Sequence, residues 1–374
     1  MNCCMDPLLK YKIAITMLPG IGGITARKLI SYCGSLEGVF QEKESALLKI
    51  PGVGKHLARM VKSFNLFDRV DAEIEFIERN QIRTFFYTDK DYPARLKHCE
   101  DGPVLLFYKG TADLNAQRVV GIVGTRNITE YGKSRCKEIV EGLRVFNPLI
   151  VSGLAYGVDA KAHKSALEVG LPTVGVLGHG LDRVYPQLHK NLAQRMVDEG
   201  GGLLSDFISE TQPDRENFPK RNRIIAGLVD TLVVVEAATT GGALITANIA
   251  NSYDRDVVAL PGRTDDLYSQ GCNLLIKTHK AHLVENAADI AYVMGWEEEN
   301  GKPAGGQQQL FVDLNDDETR MVEILKEHQE ASFDYLVSKS GLSFSKTSAL
   351  LLNLEFKGVL KVLPGRMFRL NGRY

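Results

Sequence analysis

RVVGIVGTRNITEYGKSRCKEIVEGLRVFNPLIVSG, residues 118–153, holds in order a β-branched run, a Gly-containing turn, an amphipathic stretch and a second β-branched run. In the amphipathic part, Cys136, Ile139, Val140 and Leu143 recur at helical spacing, whereas the flanking runs are apolar without interruption. Strand, helix, strand at this rhythm implies a right-handed crossover between parallel strands. Uninterrupted apolar strands imply a sheet covered on both faces.

The same rhythm continues downstream. Further strands are expected at PTVGVLG (172–178), GGLLSDF (201–207), DTLVVVEA (230–237), DVVALPG (256–262) and AHLVEN (281–286). Helical patterns lie between them, at 159–170, 187–200 and 243–253. The fold class is α/β, a doubly wound, Rossmann-like, mainly parallel sheet with its core in 118–294, inside a domain of 71–296. In such a sheet the ligand site lies outside the carboxyl ends of the strands.

The flanks read differently. LPGIGGITARKLI (18–30) and IPGVGKHLARMVKSF (50–64) repeat an apolar-Pro-Gly-apolar-Gly core followed by a helical pattern. They resemble tandem helix-hairpin-helix units, and a small all-α domain is expected over 1–70. Such hairpins offer backbone N–H groups to phosphates, which makes Gly20, Gly22, Gly52, Gly54 and Lys55 candidate contacts. The alternative for this repeat is a plain packing module. Residues 297–316 are acidic and rich in Gly and Gln without periodicity, and read as a linker. After it, three short amphipathic stretches and two β-rich runs around Pro364-Gly365 suggest a winged-helix domain over 317–374. Its third helical stretch carries only Lys346 as a cation before Glu355, which suits packing or protein docking better than base readout.

Composition bounds the function. The chain has 374 residues, 44% hydrophobic and 24% charged, with a net charge of -1, so a globular protein with a large core is expected. Residues 1–70 carry ten Lys/Arg against five Asp/Glu, and 331–374 carry seven against two, so both ends are basic. The six cysteines (Cys3, Cys4, Cys33, Cys99, Cys136, Cys272) form no CxxC pair, which argues against a zinc site or a disulfide framework and for a reducing cytosol. The apolar run 11–18 is too short to span a bilayer, and no signal peptide is read, so no membrane association is expected. No metal or cofactor is expected either.

Six loops should meet at the strand ends: 124–132, 152–160, 178–186, 209–223, 238–247 and 261–273. Five contain glycine and four contain arginine, which describes a ring of anion-binding turns. There is no GxGxxG in the first turn, no acidic residue after the second strand, where Ser152 and Gly153 sit, and no GxxxxGK[ST]. Dinucleotide binding and nucleoside triphosphate hydrolysis therefore lack their machinery. The most charged loop ends in NFPKRNR (217–223), with Phe218 beside Lys220, Arg221 and Arg223.

GIVGTRNITEYG, VSGLAYGVDAKAH, VGVLGHGLDRVYPQLHKNL, GGGLLSDF, ENFPKRNRIIAGL, LVVVEAATTGGALITANIA and VVALPGR with SQGCNLLI follow one another over residues 121–276. In this order they resemble the DNA-processing protein A family (DprA, also called Smf), whose upstream stretch is matched by DYPARLKHCEDGPVLLFYKG (91–110). The resemblance implies a non-catalytic protein that binds single-stranded DNA and loads the RecA recombinase onto it during natural transformation or related recombination. It also implies a homodimer formed through the central domain. On this basis Phe218 is the candidate for base stacking, and Arg126, Arg215, Lys220, Arg221 and Arg223 are the candidates for phosphate contacts. Asn222, Ser152, Gly153, Gly241 and Gly242 complete the candidate set.

Simpler roles stand beside these. Phe218 could staple a helix start, an arginine could pair with Glu236 or Asp206, and Asn222 or Asp159 could cap a helix. His163 and His179 have no partner at ligand spacing. A nucleotide-binding or nucleotide-cleaving protein is the alternative: TTGGALITAN resembles a turn of nucleoside-monophosphate phosphoribohydrolases, but Leu244 and Asn248 stand where that motif has Gly and Glu. A sequence-specific regulator would rest on the winged helix alone.

Overall fold

The computed structural model describes residues 6–297, 314–328, 330–363 and 365–370. They form two compact units, residues up to 253 with 257–297, and residues 254–256 with those from 314 onward.

The first unit is built on a nine-stranded sheet. Its strands are β1 (Arg83–Phe86), β2 (Leu105–Gly110), β3 (Val119–Val123), β4 (Leu149–Ser152), β5 (Thr173–Val176), β6 (Gly202–Ser205), β7 (Thr231–Val234), β8 (Asp256–Ala259) and β9 (His282–Leu283). They lie in the order β1-β2-β6-β5-β4-β3-β7-β8-β9. The pairs β3–β4, β4–β5, β5–β6, β3–β7 and β8–β9 are parallel. All seven expected strands are present. The chain runs from β3 outward through β4 to β6, then crosses back to β7 on the other side of β3, so the strand order reverses at β3.

Every residue of β3, β4, β5 and β7 is buried, and alternate residues serve opposite faces. Val119, Val123, Leu232 and Val234 join Ile224, Ile225, Leu228, Leu244 and Ala247 in one core. Val120, Ile122, Val233 and Val235 join Cys136, Ile139, Val140 and Leu143 in the other. Two covered faces explain why these strands read as unbroken apolar runs.

Two strands were not expected. β1 and β2 pair antiparallel, and β2 joins β6 antiparallel, extending one edge of the parallel sheet. This edge carries the N-terminal helices Leu9–Thr16, Gly23–Cys33, Leu36–Gln41, Glu44–Leu47, Lys55–Lys62 and Phe67–Arg79. Their core, including Ile13, Leu29, Leu47, Val61 and Ile77, continues into Phe86, Leu105 and Phe107 of β1 and β2. The domain boundary expected at residue 70 thus falls inside the helix Phe67–Arg79, and the apolar interior crosses it. Both repeated Pro-Gly turns are present, with Gly20 at φ +72° and Gly52 at φ +88°, a conformation that glycine adopts without penalty. Each leads into a helix, at Gly23 and at Lys55.

The second unit has helices Asp316–His328, Phe333–Ser340 and Phe344–Phe356, with strands β10 (Glu330–Ser332), β11 (Leu360–Leu363) and β12 (Met367–Leu370). The sheet order β10-β12-β11 is antiparallel throughout, and β11 with β12 makes the expected wing. β10 was not expected. Ser343 accepts the N–H of Lys346 to start the third helix, and Gly341 closes the second in the left-handed conformation. Most of the linker expected over 297–316, and Pro364, lie outside the described residues.

Candidate nucleic-acid interface

At the carboxyl ends of the parallel strands lies a cavity of about 800 Å³, to which all six expected loops contribute. Two glycines shape its floor and rim. Gly157 has φ +78°, and a Cβ there would lie 2.2 Å from the Thr125 carbonyl oxygen, so only glycine lets the loop after β4 lie against the loop after β3. Gly241 has φ +140° and no atom within 4 Å of a would-be Cβ; it opens the helix Gly242–Ser252 at the cavity. That helix has no side-chain cap, so its first N–H groups and its dipole are available to an anion.

The loop after β3 is held from below. The buried Glu236 carboxylate accepts the N–H of Thr129 at 2.9 Å and its hydroxyl at 2.5 Å, at the start of the helix Glu130–Leu143. The Thr125 N–H donates to the Glu236 carbonyl at 2.7 Å. This leaves the Arg126 side chain exposed above the cavity, its guanidinium carbon 5.5 Å from the centre of the Phe218 ring. Phe218 is half-buried near the start of the helix Asn217–Leu228, where Pro219 is tolerated in the first turn. A second aromatic ring, that of Tyr185, lies 6.1 Å away at 35° and is 47% exposed.

Arg221 approaches the same ring from inside the protein, 6.0 Å from its centre. Its guanidinium donates to the Val176 carbonyl at 2.6 Å and fills the space beside Gly153, where a Cβ would lie 1.9 Å from Nη1. Burial lowers its pKa to about 10, against the opposing pull of Asp159, so it stays charged at neutral pH. Asp159 is the one carboxylate among the described lining residues. It accepts the N–H groups of Gly153 and Ala155 at 3.1 and 3.3 Å, and burial raises its pKa while Arg221 opposes the rise. Asp159 is therefore a pin for the loop after β4. It was expected as an N-cap, but Gly157 holds that position.

A family model described as DNA recombination-mediator protein A matches residues 83–295, and one described as DprA winged helix domain matches residues 308–366. The chain belongs to this family. Protein Smf of Synechocystis is 33% identical over 96% of this chain and 98% of its own length. The DNA processing protein DprA of Streptococcus pneumoniae is 41% identical over 57% of this chain and 74% of its own. The X-ray structure of the S. pneumoniae protein superposes with a TM-score of 0.65 at 33% identity, covering 76% of this chain and 97% of that one. A structure addressing the single-stranded DNA binding mode of the Helicobacter pylori protein gives a TM-score of 0.52 at 27% identity, covering 57% and 95%. The family description is of a recombination mediator acting on DNA.

Of the candidate residues, Arg126, Arg215, Phe218, Arg221, Asn222, Gly241 and Gly242 line the cavity together. Four do not. Ser152 is fully buried and donates to the Ile122 carbonyl at 2.5 Å, and Gly153 serves to admit Arg221. Arg223 donates to the Asp101 carbonyl at 2.5 Å and pairs with Asp206 at 3.0 Å, so the salt-bridge alternative holds for this residue. Lys220 is exposed outside the lining. Lys220, Arg221 and Arg223 share one helical turn, so successive side chains diverge by about 100° and cannot all face one ligand. Sequence reasoning missed Tyr185 and Tyr268; an aromatic residue in a strand-end loop was the available signal for both.

Where phosphoribohydrolase chemistry would place its glutamate, Asn248 is exposed and accepts from Lys280 Nζ at 2.9 Å, and Leu244 is in the core. Among the described residues no group of His, Cys, Asp or Glu could hold a metal ion. No helix of the described residues is long and apolar enough to cross a membrane.

Proposed function

We propose that the strand-end cavity binds single-stranded DNA without regard to sequence, and that the protein hands the strand to the RecA recombinase. The observation that carries the reading is the half-buried Phe218 ring flanked by two guanidinium groups beside an uncapped, glycine-opened helix. A base stacks on the ring; the adjoining phosphates meet Arg126, Arg215 and the N–H groups after Gly241. Every base has a π-face, so stacking tolerates any sequence, and phosphates carry none. The H. pylori relative, described for its single-stranded DNA binding mode, supports the same use of the fold.

Recombinase loading, action in the cytosol and a homodimer belong to the same proposal and rest on the family resemblance. The N-terminal hairpins extend it. Gly20, Gly22, Gly52 and Gly54 are exposed with open space at each would-be Cβ, and Lys55 is exposed beside the second hairpin, so both turns can approach a phosphate backbone.

The test is fluorescence anisotropy of labelled poly(dT) and a matching duplex at two salt concentrations, with wild type and Phe218→Ala. Stacking is worth about 1–3 kcal/mol per base, so the variant should bind poly(dT) about 5- to 150-fold more weakly with the same salt dependence. Equal affinity for duplex and single strand, or an unaffected variant, would refute the assignment.

A further inference from the structure

We propose that Arg69 and Glu73, on a helix outside the cavity, are positioning residues for the single-strand site; the inference rests on the reading of the cavity given above. Both lie on the helix Phe67–Arg79, and both engage Ser209 in the loop that runs from β6 to Phe218. The Glu73 carboxylate is 1% exposed. It accepts the Ser209 N–H at 2.9 Å and 3.1 Å on its two oxygens, and it accepts the Ser209 hydroxyl. Arg69 donates to Glu73 at 2.9 Å, to the Ser209 carbonyl at 2.6 Å and to its hydroxyl oxygen at 2.9 Å. Every polar group of Ser209 is thus held by this pair.

The hold is passed along the loop. Glu210, next in the chain, sits at φ +66°, a left-handed conformation unfavourable for a residue with a Cβ, and its N–H donates to Asp182 at 2.9 Å. Asp182 binds Arg183, which donates to the Gln212 side chain at 2.5 Å. The Gln212 carbonyl accepts from Asn217, the residue before Phe218, at 3.3 Å. Apolar contacts run in parallel. Ile208 from this loop and Leu181 from the loop that ends at Tyr185 both pack against the core of the N-terminal helices. The N-terminal region therefore buttresses the two loops that present Tyr185, Arg215 and Phe218. A buried carboxylate that Arg69 holds on its own helix, and whose other partners all belong to one residue of a loop, favours that loop's conformation.

The test compares Glu73→Gln and Ser209→Ala with wild type in the full chain. Amide exchange measured by mass spectrometry should quicken in residues 205–218 in both variants, and more there than in the parallel sheet, while the melting temperature falls in Glu73→Gln, which breaks a buried ion pair, and less in Ser209→Ala. Poly(dT) affinity should fall about 2- to 150-fold, the range of coupling between linked residues. In a Phe218→Ala background the same substitutions should cost less than in wild type, because part of their effect passes through that ring. Unchanged exchange in 205–218 overturns the inference, as does unchanged affinity or an equal loss in both backgrounds. Wild type that binds no single strand removes the cavity reading itself, and is recognised without any variant.

Discussion

Gly153→Ala tests the buried arginine without substituting any residue that lines the cavity. The new methyl group would lie 1.9 Å from Nη1, 2.6 Å from Cζ and 2.7 Å from Nη2 of Arg221, so the whole guanidinium must move. Its bond to the Val176 carbonyl is lost with it. A hydrogen bond to a charged group contributes about 1.5–3 kcal/mol, and overpacking costs about 1–3 kcal/mol. Together these reach about 2.5–6 kcal/mol, which for a unit of roughly 290 residues, with an unfolding entropy of about 2.1 cal/mol/K per residue, lowers the melting temperature by about 4–10 °C. Because Arg221 lies 6.0 Å from the centre of the Phe218 ring, poly(dT) binding should also weaken at temperatures where the variant is folded. Thermal denaturation and anisotropy on one preparation read both effects. A melting temperature within about 1 °C of wild type would refute the reasoning, since no harmless relaxation would then have been foreseen.

The exposed and the paired arginines should separate in the same assays. Arg126→Ala and Arg215→Ala should each flatten the dependence of log K on log salt by about 0.7 while leaving the melting temperature unchanged, as expected for one lost phosphate contact on a single strand. Arg223→Ala, which breaks the pair with Asp206, should lower the melting temperature and leave the salt slope alone. His163 supplies a pH dependence. Its Nδ1 lies 2.6 Å from Thr173 Oγ1, whose own hydrogen goes to the Ile150 carbonyl, so Nδ1 is the donor, and the buried Nε2 has no partner among the described residues. Burial first, and then the charges of His189 and Arg221, lower its pKa from 6.5 to about 3. Between those values the unfolded chain binds a proton that the folded chain refuses, so stability falls as pH drops, by about 2 kcal/mol at pH 5. Urea titrations should show this slope in wild type and lose it in His163→Gln.

The parallel sheet was legible because its strands are buried on both faces and leave unbroken runs such as Val119–Val123 and Thr231–Val234, separated by helical spacing. β1 and β2 were not, because RTFF and LLFYKG are short and their antiparallel pairing to an edge leaves no crossover rhythm. Residue 70 falls within a helix for a related reason. The repeat that marks the hairpins ends before the helix Phe67–Arg79, whose buried side is matched to β1 and β2 and is visible only once those strands exist. At the site, the glycine-rich loops identified the cavity, since turns that open helices need little tertiary context. The role of Arg221 could not be read, because its partner is a backbone carbonyl on β5, that of Val176; the pairing of an arginine with Asp206 was foreseen, and the structure assigns it to Arg223.

The division between fixed and mobile cations bears on how such a site treats DNA. Arg126 and Arg215 are exposed, and in the proposed phosphate contacts each would give up side-chain entropy of up to about 2 kcal/mol. Arg221 has already lost that freedom on folding, wedged beside Gly153 and bonded to Val176, and it remains charged because its pKa of about 10 lies well above neutrality. Its field therefore acts at the base of the Phe218 ring at no further ordering cost, in surroundings less polar than water. The exposed arginines can meanwhile adjust to the differing backbone paths that different bases impose. A rigid platform with adaptable arms suits a strand whose sequence varies, whereas a site of rigid donors alone would favour one backbone geometry and the sequences that adopt it.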